Sequence, residues 1–148
     1  MTTTVARIKS ATIKFGTSGA EDASGQYINV VIAVDTSVDG GDLKALDGTG
    51  IPGTLTETWA LTGSLIEDWT ATDGGFYKWA LDNAGTSVEF EVIDTTPTTG
   101  TGAKWVGTVQ VAALSANVGP IDATTPQDVS WNIVGRPTYT PPAPPAAP

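Results

Sequence analysis

Apolar and polar residues alternate with period two through most of this chain. Residues 86–93 run Thr-Ser-Val-Glu-Phe-Glu-Val-Ile, so Val88, Phe90 and Val92 share one parity and Glu89 and Glu91 the other. An extended strand points successive side chains to opposite faces, and this pattern therefore buries one face and wets the other. On a helix of 3.6 residues per turn it would scatter apolar groups around the whole circumference. Residues 54–62 behave the same way, with Leu55, Trp59 and Leu61 in step and Glu57 among them. Residues 103–112 and 128–134 repeat the pattern, and residues 5–14 set Arg7, Lys9 and Lys14 among apolar neighbours. Residues 27–34, Tyr-Ile-Asn-Val-Val-Ile-Ala-Val, are apolar on both parities and largely β-branched, which predicts a central buried strand.

Turn formers separate these runs. Residues 15–26 are rich in Gly, Ser and Asp, residues 94–102 in Thr and Gly, and Pro120 and Pro126 bracket a further turn. One stretch changes period. Asp73 is an N-cap candidate, Phe76, Trp79 and Ala80 fall on one helical face, and Gly85 sits where a left-handed stop is expected. A short helix over 74–84 follows. The sum is a mainly β fold, a sandwich or barrel of about seven strands with one short flanking α-helix. Trp59, Phe76, Trp79, Phe90, Trp105 and Trp131 are its expected core anchors.

The 148 residues fit one domain, predicted over 1–137 with an N-terminal arm (1–6) and a long loop (35–53). That loop carries four acids and five glycines, and structureless loops of this length are often functional. Residues 138–148, rich in Pro and Ala, are expected to be an extended polyproline tail.

Composition narrows the chemistry. The chain has no Cys and no His, which removes disulfides, the usual zinc ligand sets and the His-dependent nucleophilic triads. A calcium loop on Asp39, Asp42 and Asp47 lacks the Asp-x-Asp-x-Asp-Gly run and the closing Glu. Glu89 and Glu91 read as a solvated strand face, and Glu67-Asp68 as a junction, so no catalytic residue, metal or cofactor is assigned. Five Trp raise the alternative of a carbohydrate-binding module, though Trp59, Trp105 and Trp131 keep step with apolar neighbours as core residues do. Acids outnumber bases 16 to 7, net −9, with no basic stripe. Attraction to DNA depends on Lys and Arg displacing counterions, so tight DNA binding is not expected. Only 16% of residues are charged, below the usual quarter of a soluble domain, as suits equally a surface covered by neighbours and a β-domain whose charge is diluted by Thr and Gly. No signal-peptide core and no apolar run of about 20 residues is present, and a cytoplasmic product is expected.

The order of motifs adds a resemblance. Glu57-Thr58-Trp59-Ala60-Leu61-Thr62-Gly63 leads to Ile66-Glu67-Asp68-Trp69, then to the helix Gly75-Phe76-Tyr77-Lys78-Trp79-Ala80-Leu81-Asp82-Asn83-Ala84-Gly85. Val88 to Pro97, Trp105 to Val111 and a closing Trp131-Asn132-Ile133-Val134-Gly135-Arg136-Pro137 follow. Over about residues 1–140 this resembles the tail tube (major tail) proteins of siphophages infecting actinobacteria. There a strand, a "DW"-type junction, a "YLxxHAG"-like helix and a "VxGxP" strand come in the same order. Asn83 stands where such helices often carry His. The resemblance implies hexameric rings stacked into a tube that conducts DNA, assembled in the host cytoplasm and located in the virion. It implies as partners further copies of the chain, a tape measure protein, and terminator and baseplate proteins. The expected contacts between copies are Thr4 and Val5 in the arm, Asp39, Asp42, Leu43, Leu46 and Ile51 in the loop, and Arg136 and Pro137 at the start of the tail. A capsid decoration protein keeps the β fold and is the other structural alternative.

Overall fold

A computed structural model describes residues 8–41, 43–66, 75–116 and 126–144. Its strands are β1 (Ala11–Phe15), β2 (Glu21–Asp22), β3 (Tyr27–Asp39), β4 (Thr54–Leu65), β5 (Ser87–Asp94), β6 (Lys104–Gln110), β7 (Gln127–Ile133) and β8 (Thr138–Thr140). One helix, α1 (Gly75–Asp82), lies between β4 and β5. Among the described residues the chain is mainly β, as expected, with eight strands in place of about seven.

All pairings are antiparallel, in the order β2-β1-β5-β6-β7-β4-β3, with β8 also on β6. The sheet does not close into a barrel. β6 and β7 meet at the single register pair Val109↔Ile133, so the sheet bends there into two halves. Their inner faces share one core. Ile13 and Phe15 of β1, Phe90 and Val92 of β5 and Val109 of β6 meet Leu61 and Leu65 of β4 and Val129, Trp131 and Ile133 of β7. The Phe15 and Trp131 rings, from non-neighbouring strands, lie 5.6 Å apart.

The helix plugs one end of this core. Phe76 and Ala80 are fully buried, and the half-buried Trp79 stacks on Phe76 at 5.4 Å and 14°. Phe15 touches both rings, at 5.3 and 5.4 Å. Offset stacking of this kind adds to the apolar burial of each ring. Gly85 takes φ +84 and donates its N–H to the Val111 carbonyl, so the left-handed stop also ties the helix exit to the end of β6. The N-cap candidate Asp73, together with Glu67, Asp68 and Trp69, lies outside the described residues.

The structure corrects three expectations. Residues 27–34 are not a central strand: they belong to a thirteen-residue strand at the sheet's end. Phe15, grouped by sequence with a turn, closes β1 and is fully buried. Thr138–Thr140 is not free tail but pairs with β6, and Tyr139 packs against Trp105 at 5.4 Å. Ala143 and Thr101 exchange backbone hydrogen bonds just beyond it. Of the six expected core anchors, Phe76, Phe90 and Trp131 are buried, while Trp59, Trp79 and Trp105 are half-buried at the core's margin.

Candidate assembly interface

β3 is paired on one side only. Its partner β4 follows it in register from Tyr27↔Leu65 to Asp39↔Thr54, and no strand meets its other edge among the described residues. A free edge of thirteen residues is a template for another chain. Natural monomers blunt such edges with Lys, Pro or bulges. β3 contains neither Lys nor Pro, and its one irregularity falls at its start, between Tyr27 and Asn29.

The pair also outruns its support. β4 lies against β7 only from Trp59↔Ile133 to Leu65↔Gln127. Beyond that point Asp35–Asp39 and Thr54–Thr58 form a two-stranded ribbon projecting from the body. The alternation that buries Leu61 and Leu65 and half-buries Val30 and Ile32 continues into it, so Val34, Val38 and Leu55 occupy the same face with no core to cover them. The opposite face carries Asp35, Ser37, Asp39, Thr54, Thr56 and Thr58. An isolated two-stranded hairpin is marginal in water.

At the ribbon's tip, backbone hydrogen bonds close a small turn over Leu43–Ile51. Gly40 and Gly41, at φ +82 and +88, turn it. Ala45 then donates to the Thr49 carbonyl at 2.8 Å and Ile51 to that of Leu43 at 2.9 Å. The Asp47 carboxylate accepts the Thr49 N–H at 2.8 Å, and the Thr49 side chain, together with that N–H, holds its carboxyl below the usual range. This small built turn displays Leu43, Leu46 and Ile51 to solvent. Structured backbone that holds aliphatic side chains in water marks an interaction surface. The expected 35–53 loop is therefore shorter, because strand runs to Asp39 and resumes at Thr54.

Where the ribbon leaves the body, Arg136 clamps it. Its guanidinium donates from Nε to Glu57 Oε2 at 2.9 Å and from Nη2 to Glu57 Oε1, and the Trp59 indole N–H donates to Oε2 at 3.0 Å. These donors lower the Glu57 carboxyl below its ordinary range, Arg136 most. Arg136, expected to reach another copy, is thus engaged within its own chain, and Pro137 lies half-buried beside Gly107.

The outer faces of the two halves differ in charge. On the β1-β5-β6 half, Lys14 lies opposite Glu91 and Lys104 pairs with Glu91 at 3.3 Å. The β7-β4-β3 half contains no Lys or Arg in any strand. Its outer rows are Asn29-Ser64-Asp128, Val31-Thr62-Ser130 and Ala33-Ala60-Asn132, with Asp35 and Asp39 further out. They make a flat surface of small neutral and acidic groups.

A cleft of about 740 Å³ separates the root of β3 from β1, where the curled sheet fails to close. Ile8, Ile28, Val92 and Trp105 line it together with Lys9 and Asp94.

Of the expected contact residues, Asp39, Leu43, Leu46 and Ile51 are brought together on the ribbon and its tip, while Thr4, Val5 and Asp42 lie outside the described residues. Sequence reading missed Ile28, Val34, Val38 and Leu55. Their signal was present, since residues 27–38 contain no Gly or Pro that would end a strand at Asp35. No three metal-ligating side chains gather among the described residues, and no helix there is long and apolar enough to cross a membrane. Compared with known proteins, the chain matches no family model and no curated sequence.

Proposed function

We propose that the chain is a self-assembling structural subunit of the tail tube type, whose copies close into rings and stack into a tube that conducts DNA. The observation that carries this reading is β3, a thirteen-residue strand with a free edge, leading into a ribbon whose apolar face has no cover in its own chain. Pairing that edge with a neighbour satisfies its backbone groups, and a contact between different surfaces that closes on itself gives a ring. A second contact that does not close gives a filament.

The charge distribution supports a conduit. Duplex DNA is held by Lys and Arg through counterion release. A lumen formed by the outer face of β7-β4-β3 offers none, and Asp35, Asp39 and Asp128 repel phosphate. Six-fold rings, a tape measure protein inside, terminator and baseplate proteins at the ends, and a virion location belong to the same proposal and rest on the motif order described above.

Electron microscopy of the purified, concentrated protein tests it. Rings or hollow tubes with a central channel are expected, with no retardation of duplex DNA by the protomer at physiological salt. A monodisperse monomer at every concentration, or tight and salt-sensitive DNA binding, contradicts it.

A further inference from the structure

The tip of the ribbon exposes aliphatic side chains and the cleft at the root of the same strand has an apolar lining, and we propose that the tip of one copy seats in the cleft of the next. This inference rests on the self-assembly reading and specifies its contact. The tip presents Leu43, Leu46 and Ile51, with Leu46 fully exposed. The cleft presents Ile8 and Ile28, both exposed, over a floor of Val92 and Trp105. Its volume of about 740 Å³ lies in the range of pockets that enclose compact apolar ligands.

Charge agrees with shape. Beyond Asp39 at its start, the tip carries Lys44 and Asp47, and the cleft carries Asp94 and Lys9. Neither Lys44 nor Lys9 has a carboxylate within ion-pair distance among the described residues. Seating the tip sets Lys44 toward Asp94 and Asp47 toward Lys9, opposite signs in both pairs.

The occupant has to be a second copy. Ile32 is the last β3 residue on the cleft and Asp39 begins the tip, and seven residues of strand span roughly 23 Å. A tip cannot fold back into its own cleft across that rigid length. A copy whose tip is seated still offers an open cleft, so the contact is heterologous and propagates. The ordered turn at Asp47 holds the tip in shape before contact, which lowers the ordering cost of docking.

The absence of native cysteine makes disulfide trapping free of background. Leu46→Cys and Ile28→Cys proteins, both substituted at exposed positions, are mixed under assembly conditions and oxidised, with Ile8→Cys as a second cleft position. A mixed disulfide between Leu46→Cys and either cleft variant is expected, and none between Leu46→Cys and Leu81→Cys on the helix. Leu46→Asp is expected to raise the concentration needed for assembly by about tenfold to a hundredfold, the effect of losing one buried aliphatic side chain, with an unchanged melting curve. Normal tubes formed without the mixed disulfide, and formed equally well by Leu46→Asp, overturn the tip-in-cleft contact and leave the tube reading standing. The mixed disulfide without rings or tubes supports the contact and removes the tube reading.

Discussion

β3 and β4 begin in one environment and end in another. At one end Leu61 and Leu65 are 2% and 0% exposed, set against Phe15, Trp131 and the helix. At the other, Leu55 and Val38 face each other on the same side of the same two strands and are 60% and 61% exposed. The alternation is the same at both ends. What differs is the presence of a second layer, since β7 accompanies β4 only as far as Trp59. An apolar face built by the strand period but left without a layer of its own is completed by another chain or is a liability.

The largest expected effect breaks this comparison into two substitutions of identical chemistry. Leu61→Ala should lose about 2–5 kcal/mol through transfer and cavity terms, read as a shift in the denaturant midpoint of the protomer. Leu55→Ala should move that midpoint by less than about 0.5 kcal/mol, as surface changes do, yet suppress ring or tube formation. Equal losses in the protomer would mean the ribbon is packed in its own chain.

Trp79→Ala comes next. The ring stacks on Phe76 and packs at a tilt against Phe15 but keeps a solvent side, so a loss of about 3 kcal/mol is expected, at the low end of the range for a large aromatic. Thermal melts followed by circular dichroism measure it. A protein as stable as the parent would show that the helix is not anchored through this residue.

Gly63→Ala sharpens the root of the ribbon. A Cβ at this position would strike the Asn29 carbonyl and approach the Tyr27 ring at 2.9 Å, where the β3 register shifts. Overpacking of this kind costs about 1–3 kcal/mol. The measurement is the same melt, and the edge of β3 near the cleft should also change its amide chemical shifts.

The smallest effect belongs to the clamp. Arg136 and the Trp59 indole lower the Glu57 carboxyl in the folded state. Its contribution is therefore present above the ordinary carboxylate range and is lost as pH falls through the lowered folded-state value. The Trp59 indole N–H resonance should shift in that acid window in the parent protein and stay flat in Glu57→Gln. A parent resonance that also stays flat would show that the clamp is not formed in solution.

Much of this architecture was readable before the fold was known, and the failures have physical causes. Residues 87–94 and 127–133 were placed within a residue because Val88-Phe90-Val92 and Val129-Trp131-Ile133 alternate against polar partners. Phe76, Trp79 and Ala80 declared the helix by their spacing, and its buried face is the one they define. β3 was misplaced because apolar residues on both parities describe equally a strand in the middle of a sheet and a strand at its end. Periodicity reports that a face is apolar, not what covers it. β8 was hidden by Pro137, Pro141 and Pro142, since its reason for pairing is Trp105, a contact distant in sequence. At the candidate interface the loop's exposed aliphatic residues were legible, whereas the Arg136–Glu57 clamp and the cleft depend on how the sheet curls, which no local pattern encodes.

Amide hydrogen exchange on the dilute protomer and on the assembled protein tests the central claim most directly, because it reads the free edge itself. The alternate backbone N–H groups of Ile28–Asp39 that point away from β4 should exchange rapidly in the protomer and gain protection on assembly, while those bonded to β4 are protected in both. Those of Gly75–Asp82 should be unaltered. Assembled particles in which β3 exchanges as fast as in the protomer would place the contact elsewhere and contradict the account.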